Sequence, residues 1–528
     1  MENTVTKDKL LKEIDELKDE NSELKAENIE LRNELQWFKD LIKRGNRKLF
    51  CSSSEKSEYD LQISLFKEEN VTPQIALEPK LSVVKAHSRR TRLVTDKLPP
   101  ELPVEIIEYE LSSEEQICPE CLGPLHRIGK ETVREELKII PAQAILKKHV
   151  RHTYGCRCCE QKAETPTIIK AHVPNPVIKG GFASPESVAH IMVQKFVMGS
   201  PLYRQGKEFE RNGIFLSRQT MSNWLIKSSE DWLEPIYNRL HEMFLEHGVI
   251  CADETELQVL REPGKTAQSK SYLWVYRTGG DATYPIVLSD YQPSRHGVHA
   301  ANFLEGFSGY CHVDGYSGYN KLPDDIIIVG CWSHARRLYD QALKVIPVKD
   351  RGNTNAYIGK RYCDKLFDIE RTLSALPVKE RYLRRLKIAK PVLDEYHSWL
   401  LSFRDLGKTL FGKAVRYSLE QWDKLTNYLL DGRLDISNNI TERTIKPFVI
   451  SRKNFLFANT PRGAKASAII FSMIQTAIEN GLNPYVYLSY IFEKAPNMNL
   501  AEKPEGVEQL LPQNVPDYIR VTVQRNAS

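Results

Sequence analysis

At Gly248 the chain changes its hydrophobic period, and this change constrains the fold more than any other feature. Residues 184–245 carry helical spacing. Beyond them, short apolar runs recur at 249–252, 272–276, 285–288, 310–313 and 326–329. Runs of four or five residues between turn-forming segments have the length of strands, not of buried helices. A short helix is expected over 300–304 and a long one after Trp332. Three strands, a helix, a strand and further αβ units describe a mixed-sheet α/β domain. Asp253 closes the first run and Asp314 the fourth. Strand ends of such sheets hold ligands, although an Asp there also caps turns, so the pair carries more weight than either acid alone.

A third acid lies downstream, in 431–465. Asp435, Ser437 and Asn438 are N-cap candidates for a helix containing Glu442, and Pro447 is expected to end it. From Ile440 to Lys465 there are six basic residues (Arg443, Lys446, Arg452, Lys453, Arg462 and Lys465) and one acid, Glu442. Lys446 follows Glu442 by one turn, so both can face one phosphate. The basic residues suit contact with nucleic-acid backbone, although such residues also make a solvated face. Three carboxylates suit a two-metal site for phosphoryl transfer, and magnesium or manganese prefers such oxygen donors. Glu254 and Glu256 compete with Asp253 for the first position; strand alternation puts Asp253 and Glu254 on opposite faces. Cys331 and His334, spaced i, i+3, suit a structural hydrogen bond or a contact near the acids more than a metal site. Cys251 and Cys311 read as small core residues inside strands.

The remaining chain divides by pattern. Leu10, Leu17, Leu24, Leu31 and Phe38, with Ile14, Asn21, Asn28, Leu35 and Ile42, form a heptad seam, so 1–45 is expected to be a coiled coil joining a homodimer or higher oligomer. Residues 46–115 lose that period and read as a flexible basic linker carrying Arg89, Arg90 and Arg92. Cys118, Cys121, Cys156 and Cys159 form two C-x-x-C pairs, the ligand set of a closed zinc site over 116–165, with Cys158 as a spare. Alternation at 136–140 and 145–150 suggests a hairpin carrying the knuckles. Within 183–246, Ser217 is an N-cap candidate, and Arg218, Gln219 and Asn223 follow on the first turns of a helix-turn-helix-like pair that could read DNA. Helices are expected over 463–481 and 483–493, with a mobile Pro-rich tail over 496–528.

Net charge is +5, with 41% hydrophobic and 27% charged residues. These are the proportions of a soluble globular protein, and only the clustering of charge points to nucleic acid. No apolar run reaches membrane-spanning length and no signal peptide opens the chain, so a cytoplasmic location is expected, without membrane partners.

Over nearly its full length the sequence resembles transposases of the insertion-sequence sixty-six family. The matching stretches are Ser54-Glu55-Lys56, the cysteine pairs, Pro201-Leu202-Tyr203-Arg204-Gln205, Ala252-Asp253-Glu254-Thr255, Asp314-Gly315-Tyr316-Ser317-Gly318-Tyr319, Cys331-Trp332-Ser333-His334-Ala335-Arg336-Arg337 and Asn438-Asn439-Ile440-Thr441-Glu442-Arg443. The resemblance implies an RNase H-like catalytic core, split as 247–345 and 430–495 by a helical insertion over 346–429. It also implies that Asp253, Asp314 and Glu442 are the metal-binding triad of a bacterial, nucleoid-associated DNA transposase. Double-stranded DNA would be the substrate, as element terminal inverted repeats and target, with accessory transposition proteins as partners. A DNA-binding regulator that no longer catalyses, and a nuclease of the same fold that hydrolyses without joining, are the alternatives.

Overall fold

The computed structural model describes residues 144–155, 168–404, 406–500 and 502–521. The expected coiled coil over 1–45, the linker over 46–115, and Cys118, Cys121, Cys156, Cys158 and Cys159 lie outside the described residues. The chain forms two units, one of residues 53–171 and one containing residues 172–528.

In the smaller unit, β1 (Thr153–Gly155) pairs antiparallel with β2 (Ile168–Lys170). Residues 136–140, the other half of the expected hairpin, lie outside the described residues; β1 and β2 flank the second cysteine pair in sequence.

The larger unit is built on one sheet. Its strands are β3 (Val249–Val259), β4 (Lys270–Thr278), β5 (Val287–Gln292), β6 (Gly309–Val313) and β7 (Ile326–Gly330), in spatial order β5-β4-β3-β6-β7. The first three form an antiparallel meander, and β6 and β7 run parallel to β3. Pairing of β3 with β6 stops at Cys251. Farther along, β8 (Phe457–Ala458) pairs with β3 only at Gln258 and Val259. Among the described pairings, the intervening part of β3 is therefore laddered to β4 alone.

Helices cover both faces. Before the sheet come α1 (Pro185–Phe196), α2 (Leu202–Arg211), α3 (Arg218–Ser228) and α4 (Glu234–Leu245). Within the sheet region, α5 (Val298–Phe303) precedes β6, and α6 (Trp332–Lys344) follows β7. The segment expected as a helical insertion contains α7 (Asn355–Leu373), α8 (Val378–Leu401), α9 (Leu410–Glu420) and α10 (Trp422–Thr426). The chain then returns through α11 (Asn439–Phe455), α12 (Pro461–Glu479) and α13 (Pro484–Lys494).

Alternation along β3 sorts its residues. Ile250 and Ala252 join a core with α1, α3, α4, α12 and α13, whereas Leu257 and Val259 pack on Ile445 and Phe448 of α11. Val249 joins a third core with α6 and the insertion helices. The outer edge of β5 is closed by hydroxyls: Val287 N–H donates to Thr476 Oγ1 (3.0 Å) and Ser289 N–H to Ser472 Oγ (2.7 Å). Ser472 and Thr476 are one turn apart on α12, so one helix face protects the sheet edge.

Two sequence expectations are corrected. Pro447 does not end its helix, because α11 runs through it to Phe455. Its missing N–H costs one backbone bond, while Ile445 and Phe448 on either side bury the helix against β3–β5. The expected mobile tail is also corrected over 502–521. Val507, Leu510, Leu511, Val515 and Ile519 are buried in the first core, and Asn483 N–H donates to the Ile519 carbonyl at 2.9 Å. Proline-rich composition was outweighed by apolar residues that find a groove. Residues 522–528 lie outside the described residues.

Arg385 of α8 ties the insertion to the returning chain. Its side chain is 1% exposed, pairs with Glu370 (2.6 Å), and donates to the carbonyls of Tyr428, Asp431 and Leu434 at 2.7–3.0 Å. Removing it strands a largely buried carboxylate and three carbonyls. Arg385→Ala should lose about 3–5 kcal/mol of stability; an unchanged denaturant midpoint for this variant would refute that role.

Candidate active site

Asp253 and Asp314 meet because β3 and β6 run in parallel at a constant register. Val249 pairs with Tyr310, Ile250 with Cys311 and Cys251 with His312. Asp314 follows the last residue of β6, and its negative charge acts on Asp253. The Asp253 face of β3 looks at α11. Arg452 Nη1 donates to Thr255 Oγ1 at 3.2 Å, two residues beyond Asp253 along the same strand.

The start of α11 is held by three contacts. Asn438 Nδ2 donates to the Ala252 carbonyl (3.0 Å), Asn438 N–H donates to Cys331 Sγ (3.2 Å), and Trp332 N–H donates to the Ile436 carbonyl (3.1 Å). Of the three N-cap candidates it is Asn438 that occupies the cap, with its side chain reaching β3 instead of capping the helix. Glu442 follows in the first turn.

The electrostatics show how close the acids are. Burial, then the negative charges of Glu254, Asp314 and, more weakly, Glu442 push the Asp253 carboxyl up to about 8. The Glu254 N–H bonded to Asp253 Oδ1 at 2.8 Å opposes this without cancelling it. Asp314 accepts the N–H of Tyr316 at 2.8 Å, which fixes the turn after β6. Across that turn stands Tyr417 of α9: a Cβ on Gly315 would lie 2.5 Å from its ring, so only glycine permits the approach.

Glu442 is held from α6. Arg337 Nη2 lies 3.4 and 3.3 Å from its two carboxylate oxygens, and His334 Nε2 lies 3.8 Å from Oε1. Among the described residues, the ligand-type atoms within 4.8 Å of one another belong to Cys331, His334 and Glu442, not to the three acids. The Cys331 thiol is buried, which pushes it up to about 11, and it already accepts the Asn438 N–H. With a guanidinium also on Glu442, these groups form a cradle for the acid more readily than a second metal centre. Sequence reasoning placed Cys331 and His334 near the acids and missed Arg337. The i, i+3 spacing of His334 and Arg337 put them on one helix face and could have signalled it.

The other candidates separate. Glu254 faces the opposite side of the sheet, with a side chain 1% exposed, bonded to Arg295 (2.5 Å) and Tyr319 (2.7 Å). Glu256 pairs with Lys270 at 2.6 Å. On α11, Arg443, Lys446 and Lys453 are exposed and Arg452 is half-buried. Arg462 and Lys465 lie instead against Glu230 and Glu234, so their charge is used locally. In α3, Met221, Trp224 and Leu225 enter the first core while Arg218, Gln219 and Asn223 are exposed, with Gln219 Nε2 bonded to Asn223 Oδ1 at 2.9 Å. Cys251 and Cys311 are buried in their strands.

A raised carboxyl makes stability depend on pH in a defined direction. Between the ordinary Asp value near 4 and about 8, folded Asp253 keeps a proton that the unfolded chain has lost, so this group weakens the fold as pH rises. Without added magnesium, Asp253→Asn should unfold at a temperature higher by on the order of 5 °C at pH 8.5. The gain should shrink toward zero as pH falls to 4. Thermal melts showing a pH-independent difference would contradict the assignment.

Comparison with known proteins identifies the family. The model of "Transposase IS66 family" matches residues 180–466, which contain all three acids. That of the "zinc-finger binding domain of transposase IS66" matches 115–160, including the four cysteines. The "IS66 C-terminal element" matches 472–513, and "Transposase C of IS166 homeodomain" matches 37–107. Among curated proteins of Sinorhizobium fredii (strain NBRC 101917 / NGR234), uncharacterized protein y4jD is 31% identical over 74% of this chain and 78% of its own length. Uncharacterized protein y4hP is 28% identical over 86% and 84%. The chain belongs to the IS66 transposase family.

Proposed function

We propose that the protein is a DDE-type DNA transposase on an RNase H-like core, with Asp253, Asp314 and Glu442 as its catalytic acids. One observation carries this reading: the negative charges of Asp314 and Glu442 both act on the buried Asp253 carboxyl, and Asn438 pins the start of the Glu442 helix to β3 one residue before Asp253. A three-strand meander followed by two strands parallel to its first member supports the RNase H-like assignment.

The donor set fits hard divalent cations, magnesium or manganese. All three side chains offer oxygen, and the crowding that keeps Asp253 protonated is relieved by positive charge. When bound, such ions supply Lewis-acid stabilisation of the charge developing at phosphorus and on the departing oxygen. The chain does the rest. Asp253 would hold such an ion as its carboxylate, Arg337 and His334 position Glu442, and Tyr417 walls the turn after Asp314. Lys446, with Arg443, Arg452 and Lys453, holds backbone phosphates of the element end, and Arg218, Gln219 and Asn223 of α3 contact DNA farther out. Zinc held by Cys118, Cys121, Cys156 and Cys159 gives the small module its fold. The heptads of 1–45 join protomers so that two element ends meet, with accessory transposition proteins completing the assembly on the bacterial nucleoid. Among the described residues no helix is long and apolar enough to cross a membrane.

Asp253→Ala, Asp314→Ala and Glu442→Gln should each lower cleavage and joining of labelled terminal-repeat DNA at least about a thousandfold, the effect of losing several kcal/mol of charge stabilisation. DNA binding should survive. A variant that cuts at the wild-type rate removes its residue from the triad, and cutting without any joined product would make the protein a nuclease. Metal analysis should find one zinc per chain, lost in Cys121→Ser; a zinc-free wild type contradicts the module's assignment.

A further inference from the structure

The loop between β5 and α5 holds a charged side chain that the reading above leaves without a task. Arg295 is 42% exposed. Its Nε and Nη2 both donate to Glu254 Oε1, at 2.7 and 2.5 Å, and the Glu254 side chain is 1% exposed. Tyr319 donates to the other Glu254 oxygen at 2.7 Å, so the anchor is itself anchored. The Arg295 guanidinium stacks on the Tyr316 ring at 3.9 Å, and the Tyr316 hydroxyl donates back to the Arg295 carbonyl at 2.5 Å.

This loop and the turn after Asp314 are one packed object. A Cβ on Gly297 would fall 2.0 Å from the Gly318 carbonyl oxygen, so the two segments meet backbone to backbone. Tyr316, which carries the stack, is also the residue whose N–H binds Asp314. The Asp314 charge is felt at Arg295. A guanidinium is therefore held on two sides, by Glu254 and by the Tyr316 ring, beside the turn that follows Asp314. One ring face and one donor edge are occupied. Nη1 makes no hydrogen bond among the described residues.

Neutralising Glu254 would need only a buried cation. It does not need a stacked guanidinium left nearly half exposed, beside a turn that begins at an acid. Fixed geometry with an open donor is what a phosphate-binding arginine requires, because the entropy of ordering the side chain is met before the ligand arrives. We propose that Arg295 binds a backbone phosphate of the DNA strand lying across the acids, fixing the position of the scissile phosphate beside Asp253 and Asp314. The proposal rests on the transposase reading and adds a positioning residue from the opposite side of β3.

The test uses the full chain and duplexes carrying the element's terminal repeat, with a neutral methylphosphonate placed at successive positions around the cleavage point. The paired variant E254Q/R295Q removes the cation without stranding the buried acid. In wild type, one methylphosphonate position should weaken binding about tenfold or more, as expected for loss of a charge-assisted bond. In E254Q/R295Q that position should cost nothing extra, the slope of log affinity against log salt should fall by about one, and cleavage should fall in parallel. If every position costs the folded double variant what it costs the wild type, Arg295 touches no phosphate and only neutralises Glu254. Should the double variant not fold, phenylglyoxal labelling of wild type read by mass spectrometry decides instead. Saturating duplex should protect Arg295; equal labelling with and without DNA overturns the proposal. Loss of cleavage in Asp253→Ala without any Arg295–phosphate coupling leaves the enzyme reading standing and removes only this one.

Discussion

Everything at the candidate active site hangs on Asn438. Its side chain bonds the Ala252 carbonyl and its backbone bonds Cys331 Sγ, so one residue joins β3, the start of α6 and the start of α11. The bond is available because pairing of β6 with β3 stops at Cys251. One residue later the β3 carbonyl meets a side-chain amide instead of another strand, and the backbone group is still satisfied. A break in the ladder has become an attachment point. It sets Glu442, one helical turn on, close enough to β3 for its charge to act on Asp253.

The break also explains why the acids can be crowded. Asp253 sits on a central strand, poorly solvated and surrounded by negative charge, which is why its carboxyl is pushed up to about 8. A fold optimised for stability alone would avoid that arrangement. Positive charge is supplied from two sides instead. Arg337 reaches Glu442 from α6, and Arg295 reaches Glu254 from the β5–α5 loop. The insertion contributes more than bulk. Tyr417 abuts the turn after Asp314, and Arg385 binds the carbonyls of the segment leading into α11.

How much was legible beforehand varied with the range of the interaction. The five short apolar runs each contribute to a strand, the third only from Val287, the 300–304 helix is α5, and the helices around 463–481 and 483–493 are α12 and α13. Two local rules were outweighed. Pro447 was read as a helix stop, but burial of Ile445 and Phe448 carries the helix through it. The Pro-rich tail was read as mobile, but its spaced apolar residues dock into a core formed by helices far earlier in the chain. Propensity is a weak signal beside burial when both act on the same residues.

The sequence by itself determined the element order, the position of Asp314 just after a strand and of Glu442 on a helix, and the separation of Asp253 from Glu254 onto opposite faces. Each depends on periodicity along the chain, which local stereochemistry dictates. Asp253, read as closing a strand, instead lies in the middle of β3, which runs on to Val259. Only the tertiary structure decided which face meets α11, that Arg337 cradles Glu442, that Glu254 serves Arg295, and that Asn438 reaches Ala252. The partners in these contacts lie 105, 41 and 186 residues apart for Arg337–Glu442, Glu254–Arg295 and Asn438–Ala252. A hydrogen bond at that range leaves no period in the sequence; it exists only once packing has brought the two segments together.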